Sequence, residues 1–462
     1  MQGSDGRTAP RSLLGIALAA LLASCSLGPD YQSPTFPFAR SYPGQGQGAP
    51  VLLSNAEWWK RFKDPTLDVL IARAIAGNLD LASAKERVLQ AKAELRSVAG
   101  PASLNSSAQI RETAANGSDF QQVGSADLNF SWLFDPFGAR RAQLRSSGAQ
   151  VEVADAEVSA AQLLVLYNLT NAYVDLRYNQ RLLVIRQQDL ANRRKTLDLT
   201  ERFFAADSAT RLDIVRSEAV VADIEGQIPA ISAAIAAKKG EIAVLTGVAP
   251  GQLSVALNGG SGQPRPRLSP QVGIPTDLLR NRPDIRIAER LYYAAVADVG
   301  VARAGLYPKL SLGGALSLTA IGRATNKEYY FGPSVQFPIP VGPAPRAAVE
   351  ARESRARQAH IAWKSAVLSG MNEVETSLVS YSATVSAVKS AEKTVKLYNE
   401  VVDLTRDLID SDGATLSELI DAETSIASAN GTLAGNLREL ARSFIQLNIS
   451  LGSGNSSLEK PG

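Results

Sequence analysis

One cysteine, one histidine and two methionines are all that 462 residues supply of the side chains most used for metal binding, redox chemistry and nucleophilic attack. A single cysteine excludes an internal disulfide framework, and one histidine beside it excludes a Cys/His zinc cluster. Any hydrolytic triad would have to be built on His360, and a lone histidine on a helix is ordinarily structural. A surplus of one charge is missing too: 48 Lys+Arg stand against 45 Asp+Glu, a formal net of +3. Nucleic-acid binders carry clustered basic residues and a high domain pI, so nucleic acid is not an expected partner. The apolar share, 45%, suffices for a folded chain. The composition does not point to an enzyme, and no cofactor or metal is expected.

Long apolar runs are also absent, with one short exception. Arg7 and Arg11 precede Leu13–Ala23, an apolar run of the length found in secretory signals and too short for a membrane span, which needs about 20 residues. The run ends Leu22-Ala23-Ser24-Cys25, which looks like a bacterial lipobox. Cys25 is then the lipidation site, residues 1–24 are a signal peptide and residues 25–55 a lipidated leader. Ser26, where an Asp favours retention in the inner membrane, suggests sorting to the outer one. Acyl chains contribute about 0.8 kcal/mol per buried CH₂, so several of them anchor firmly.

The remainder is one design written twice. Displaced against itself by about 204 residues, the chain places Asn78-Leu79-Asp80-Leu81 on Arg282-Pro283-Asp284-Ile285 and Gly138 on Gly342. With one added residue, Thr210 meets Thr415, Asp213 meets Glu418, Glu218 meets Glu423 and Gly247 meets Gly452. A period this long marks a duplicated unit rather than a solenoid. The halves are residues 56–250 and 276–452, with a Gly/Pro-rich connector over 251–275 and a flexible tail over 453–462. Each half begins with a helical stretch (Pro65–Ala99; Thr276–Ala304) and continues through an alternating segment (Pro101–Pro136; Gly305–Gly342). Two long helical stretches follow (Ala139–Ala206 and Thr210–Thr246; Ala344–Ser411 and Thr415–Leu451). These lack turn-forming residues almost entirely and repeat apolar residues at three and four, as in Leu163, Leu166, Leu169 and Tyr173. The first rod would run about 100 Å at 1.5 Å per residue. Asp189, Arg193, Arg194 and Lys195 make it too polar for lipid, and a water-bathed rod is expected.

Asp127-Leu128-Asn129-Phe130-Ser131-Trp132 alternates with period two, as do Leu310-Ser311-Leu312, Leu316-Ser317-Leu318 and Val335-Gln336-Phe337. Strict alternation indicates a strand with one apolar face. A half-buried soluble hairpin and an outer-membrane barrel share that signature, and the secreted, lipidated context favours the barrel. Four strands cannot close a barrel, and an open edge in hydrocarbon leaves backbone groups unsatisfied, so several copies must share one. Three copies give twelve strands.

Gly273–Ile285 (GIPTDLLRNRPDI) and Val299–Leu312 (VGVARAGLYPKLSL) closely resemble the outer membrane factors of tripartite efflux systems, the lipoprotein NodT/OprM-like branch of the TolC superfamily. Cys25–Tyr31 resembles that branch's mature N-terminus, and Trp58–Phe62 with Asp64–Leu67 its opening helix. The resemblance implies a mostly α-helical fold of duplicated halves. It also implies a homotrimer joining a 12-stranded β-barrel in the outer membrane to an α-helical barrel in the periplasm. The implied activity is passive export of small molecules, with a periplasmic adaptor and an inner-membrane pump, of RND type, opening the proximal end. The implied gate lies at the helix tips, Ala205–Thr210 and Asp410–Thr415. Leu419-Ile420-Asp421-Ala422 is similar to the segment whose Asp forms a constricting ring, which assigns that role to Asp421. Ser417 replaces a bulkier residue one turn before it. Asp213, Arg216, Asp410, Asp412 and Glu418 are candidate tip charges or adaptor contacts. The first tip has Ser208 where a glycine is typical; the second is expected to stop at Gly413 and restart at Thr415. A protein-secretion duct and a lipid-anchored scaffold without a pore are the competing readings.

Overall fold

The computed structural model describes residues 28–29, 31–36, 57–114, 121–258, 262–266, 282–338, 343–409 and 413–454. The signal segment, Cys25, most of the leader, part of the connector, Asp410, Asp412 and residues 455–462 lie outside the described residues. The chain divides into two compact units. One comprises Met1–Phe36, Glu86–Asp155 and Ile287–Ser365; the other comprises Pro37–Lys85, Ala156–Arg286 and Ala366–Gly462.

A short 3-10 turn, Trp58–Phe62, leads into α1 (Pro65–Gly77), α2 (Leu79–Ala99), β1 (Ala102–Thr113), β2 (Gln121–Phe134), α3 (Ala139–Ala205) and α4 (Arg211–Leu245). The order then repeats without the first break: α5 (Pro283–Ala304), β3 (Lys309–Ile321), β4 (Ala324–Gln336), α6 (Ala344–Ile409) and α7 (Leu416–Ser450). The paired rods match in length, 67 against 66 residues for α3 and α6, and 35 for both α4 and α7. One expectation needs correction. The stretch Pro65–Ala99 is two helices, because Asn78 turns extended (ψ 129°) and its side chain caps the second, accepting the Leu81 N–H at 3.0 Å.

In the second unit, Trp58 is wholly buried edge-on to Phe444, with centroids 6.0 Å apart. Asp64 caps α1 and also accepts the Tyr173 hydroxyl at 2.5 Å; Arg177 Nε donates to that hydroxyl at 2.9 Å. Burial, then the hydrogen bond to Asp64 and its charge, pushes the Tyr173 hydroxyl well above the usual tyrosine range. The duplication survives in chemistry. Asn78 Nδ2 donates to Leu245 O at 3.0 Å, and at the equivalent place Arg282 Nη1 donates to Ser450 O at 2.7 Å. Arg282 is also held by Asp284 and Glu373, each at 2.7 Å.

In the first unit the strands form one antiparallel sheet in the order β1-β2-β3-β4. The register puts Ser107, Asp127, Ser317 and Glu328 in one row and Ser106, Leu128, Leu316 and Tyr329 in the next. Because side chains alternate, one face carries Leu104, Leu128, Trp132, Phe134, Leu316, Tyr329 and Phe331, all solvent-exposed in the single chain, and the other is mostly polar. The leader residues Gly28–Pro29 and Tyr31–Phe36 pack in this unit. Tyr31 lies edge-on to Tyr293 with its hydroxyl donating to Glu289 at 3.1 Å. Phe36 meets Trp363. His360 is stacked between Tyr292 and Trp363, at 5.0 and 5.8 Å, which makes it a packing residue.

Candidate functional site

The tips of the long helices are built by local hydrogen bonds that recur at a spacing of 205. At the end of α3, Ser208 N–H donates to Phe203 O at 2.8 Å; at the end of α6, Gly413 N–H donates to Leu408 O at 2.8 Å. Both are the six-residue return bond of a Schellman-type stop. The left-handed residue in the first tip is Asp207 (φ 58°), one position before Ser208. Ser208 therefore needs no glycine-like freedom, and Asp tolerates that conformation better than most residues. Its counterpart Asp412 lies outside the described residues.

Each return helix begins with a capping box. Asp213 Oδ2 accepts from Thr210 N–H and Oγ1 at 2.9 and 2.6 Å; Glu418 Oε2 accepts from Thr415 N–H and Oγ1 at 2.7 and 3.0 Å. The Thr210 hydroxyl holds the Asp213 carboxyl below its usual range, and the Thr415 backbone N–H does the same for Glu418. Two of the five predicted tip charges are thus also cap groups. Arg216 is exposed and adds a favourable charge near Asp213. Asp410 and Asp412 lie outside the described residues. On α7, Ser417, Asp421 and Thr424 share an exposed face, while Leu419, Ala422 and Glu423 turn inward.

Glu423 is the residue that reading the chain overlooked. Only 4% exposed, it accepts from Arg406 at 3.0 Å and from the Thr196 hydroxyl at 3.1 Å, and faces Arg193 at 3.5 Å. Arg193, equally buried, donates to Ile420 O at 2.9 Å and to Thr424 Oγ1 at 2.8 Å, and lies 3.4 Å from Asp189. One guanidinium from α3 thereby pins two turns of α7, and Glu423 ties both to α6. Asp189 is pushed up, because burial penalises its charge more than Arg193 and Arg186 favour it. Asp189, Arg406 and Glu423 border a polar cleft shared by Arg181, Asn192, Asp403 and Asn430. The expectation that Asp189 and Arg193 are bathed in water is corrected: both are buried. The available signal was the continuation of the buried line Ile185, Asp189, Arg193, Thr196, Thr200 at helical spacing. The equivalent of Glu423 in the first half, Glu218, is exposed.

The sequence profile of the Outer membrane efflux protein family matches residues 70–248 and again 274–453. The chain belongs to this family. The two matches begin 204 residues apart, the displacement at which the halves coincide. Nodulation protein T of Rhizobium leguminosarum bv. trifolii is 32% identical over 456 residues, covering 96% of this chain and 97% of that protein. The pyoverdine export outer membrane protein OpmQ of Pseudomonas aeruginosa is 29% identical, covering 81% and 82%. The solved outer-membrane channel OprN superposes with a TM-score of 0.81 at 30% identity, over 93% of this chain and 99% of that one. As a member of the outer membrane efflux proteins, the chain is an outer-membrane channel component of an efflux system.

Proposed function

We propose that this efflux protein is one subunit of a homotrimeric, passive duct that makes and breaks no bonds and opens when a periplasmic adaptor and an inner-membrane pump, of RND type, engage it. The observation that carries this reading is the open sheet: four strands with an exposed apolar face and two unpaired edge strands, β1 and β4. In hydrocarbon such edges are costly, and three copies supply an even set of twelve strands. The helices offer a matching need. Leu397, Val401, Leu404 and Leu408 form an exposed apolar line on α6, while α4 exposes the small residues Ala219, Ala222 and Gly226 at three-and-four spacing and Ala233 two turns further on. A ridge of large residues on one copy fits a groove of small ones on the next.

In this reading Cys25 carries the lipid anchor. Asp421 with Ser417 lines the periplasmic constriction, where three carboxylates favour cations. Asp213, Arg216, Glu418, Asp410 and Asp412 present the tips to the adaptor. The test combines the mass of the detergent-solubilised particle with its conductance in planar bilayers. A three-chain particle that conducts, and conducts more as Asp421→Ala, is the expected result. A monomer without conductance overturns the duct in favour of a scaffold. Unchanged conductance in Asp421→Ala removes that residue from the constriction.

A further inference from the structure

At one end of the strands the apolar face closes with the paired row Phe134, Leu310 and Val335. From there to the row of Ile110, Gly124 and Ala320 is ten residues, which at about 3.3 Å each and a barrel tilt near 40° gives an apolar band of about 25 Å, the height expected of an outer-membrane barrel. Just inside and beyond the Phe134 row lie Trp132 (43% exposed), Phe337 (67% exposed) and a stacked pair, Phe137 on Tyr307, with centroids 4.9 Å apart. Aromatic residues gathered at one end of an apolar band mark a headgroup boundary. Next in the chain from the same strand ends, α3 and α6 each carry an arginine at their third residue, Arg141 and Arg346.

These arginines are poorly explained by the fold. Neither has an ion-pair partner among the described residues, and both are exposed. The first turn of a helix favours anions, yet neither α3 nor α6 has an acidic residue there, whereas α4 and α7 do. Between Asp135 and Arg145 three arginines face one aspartate, and Asp135 is already engaged by the Arg141 N–H at 3.1 Å. The Arg141 guanidinium folds back over Gly138 (φ +79°), its atoms 3.5 to 3.8 Å from where a Cβ would stand, and so lies at the N-terminal end of the helix.

We propose that Arg141 and Arg346 form, with the aromatic residues beside them, a docking surface for the headgroups of anionic phospholipid in the periplasmic leaflet. The inference rests on reading the sheet as part of a membrane barrel. A basic side chain near an anionic surface gains about 1 kcal/mol, a preference of about fivefold. Trp132 reports it directly, since Trp58, Trp59 and Trp363 are buried. The full-length protein is reconstituted with brominated phosphatidylglycerol or brominated phosphatidylcholine, and quenching of Trp132 is titrated. The wild type should prefer the anionic lipid by about fivefold at low salt, with the preference shrinking as salt rises. Arg141→Gln with Arg346→Gln should abolish it. Arg141→Lys with Arg346→Lys should keep most of it. Arg323→Gln with Lys327→Gln, at the opposite end of the band, should leave it intact. Equal quenching of the wild type by both lipids, or a preference surviving the double Gln variant, overturns the proposal. Conductance in the same vesicles separates the readings: a conducting channel indifferent to lipid charge refutes only this surface, and a protein that neither conducts nor is quenched refutes the barrel.

Discussion

Arg193→Ala tests whether the buried pairing holds the end of α7 in place. The substitution removes the donors to Ile420 O and Thr424 Oγ1 and leaves the Glu423 carboxylate, 4% exposed, with Arg406 and Thr196 alone. Removing one partner of a buried ion pair costs about 3–5 kcal/mol, most of it the penalty on the charge left behind. Local opening of α7 should therefore become at least about 150-fold easier, since 1.36 kcal/mol is tenfold. Amide hydrogen exchange over Leu416–Asn430 measures that opening, while Leu440–Ser450 serves as an internal reference. Arg193→Met combined with Glu423→Leu should restore most of the protection. Arg406 is half exposed and can turn to water, Thr196 retains Asn192 O at 3.3 Å, and Asp189 retains Arg186 at 3.7 Å. A change under threefold in Arg193→Ala, or a double variant as unprotected as the single one, refutes the reasoning.

The other tests concern charge, backbone and anchoring. Asp189 has a raised folded-state pKa, so its contribution is fully present below the unfolded value near 3.9 and is lost as pH rises through the folded value; Asp189→Asn should match or exceed the wild type in denaturant midpoint at neutral pH and flatten the pH dependence above pH 4. Gly247 has φ +76°, and a Cβ there would stand 2.0 Å from Gly77 O; Gly247→Ala should cost more than about 2 kcal/mol by denaturant unfolding or prevent folding, and a cost under about 1 kcal/mol would deny the close crossing. Cys25→Ser should block lipidation and signal cleavage, seen as slower gel migration and loss of membrane retention.

The rods were legible because helical periodicity and the absence of breakers act over dozens of residues, and averaging over that length leaves little ambiguity. The strands were legible as alternation, but their placement was not: Asp127-Leu128 alternates identically in a soluble hairpin, and only its partners in the sheet show an apolar face continuous through Leu316 and Tyr329. The break at Asn78 was missed because one capping side chain ends one helix and begins the next without a proline. The missing glycine at Ser208 left the geometry of the first tip open, since a left-handed turn is set by backbone return bonds, and Asp207 takes that conformation one residue earlier. The paired charges at Glu423 escaped notice for a different reason. On a long helix charged residues are nearly all solvated, and burial of this one depends on partners 227 residues away at Thr196 and 17 away at Arg406.

The two halves agree in length, turns and caps, but only one of them sends its glutamate inward to be clamped. Since Arg193 and Thr196 belong to the α3–α4 hairpin and Arg406 and Glu423 to the α6–α7 hairpin, that single buried clamp fastens the two hairpins to one another. In a duct of the kind proposed, parting these hairpins would mean breaking this clamp once in every copy, with no second clamp at Glu218 to share the load.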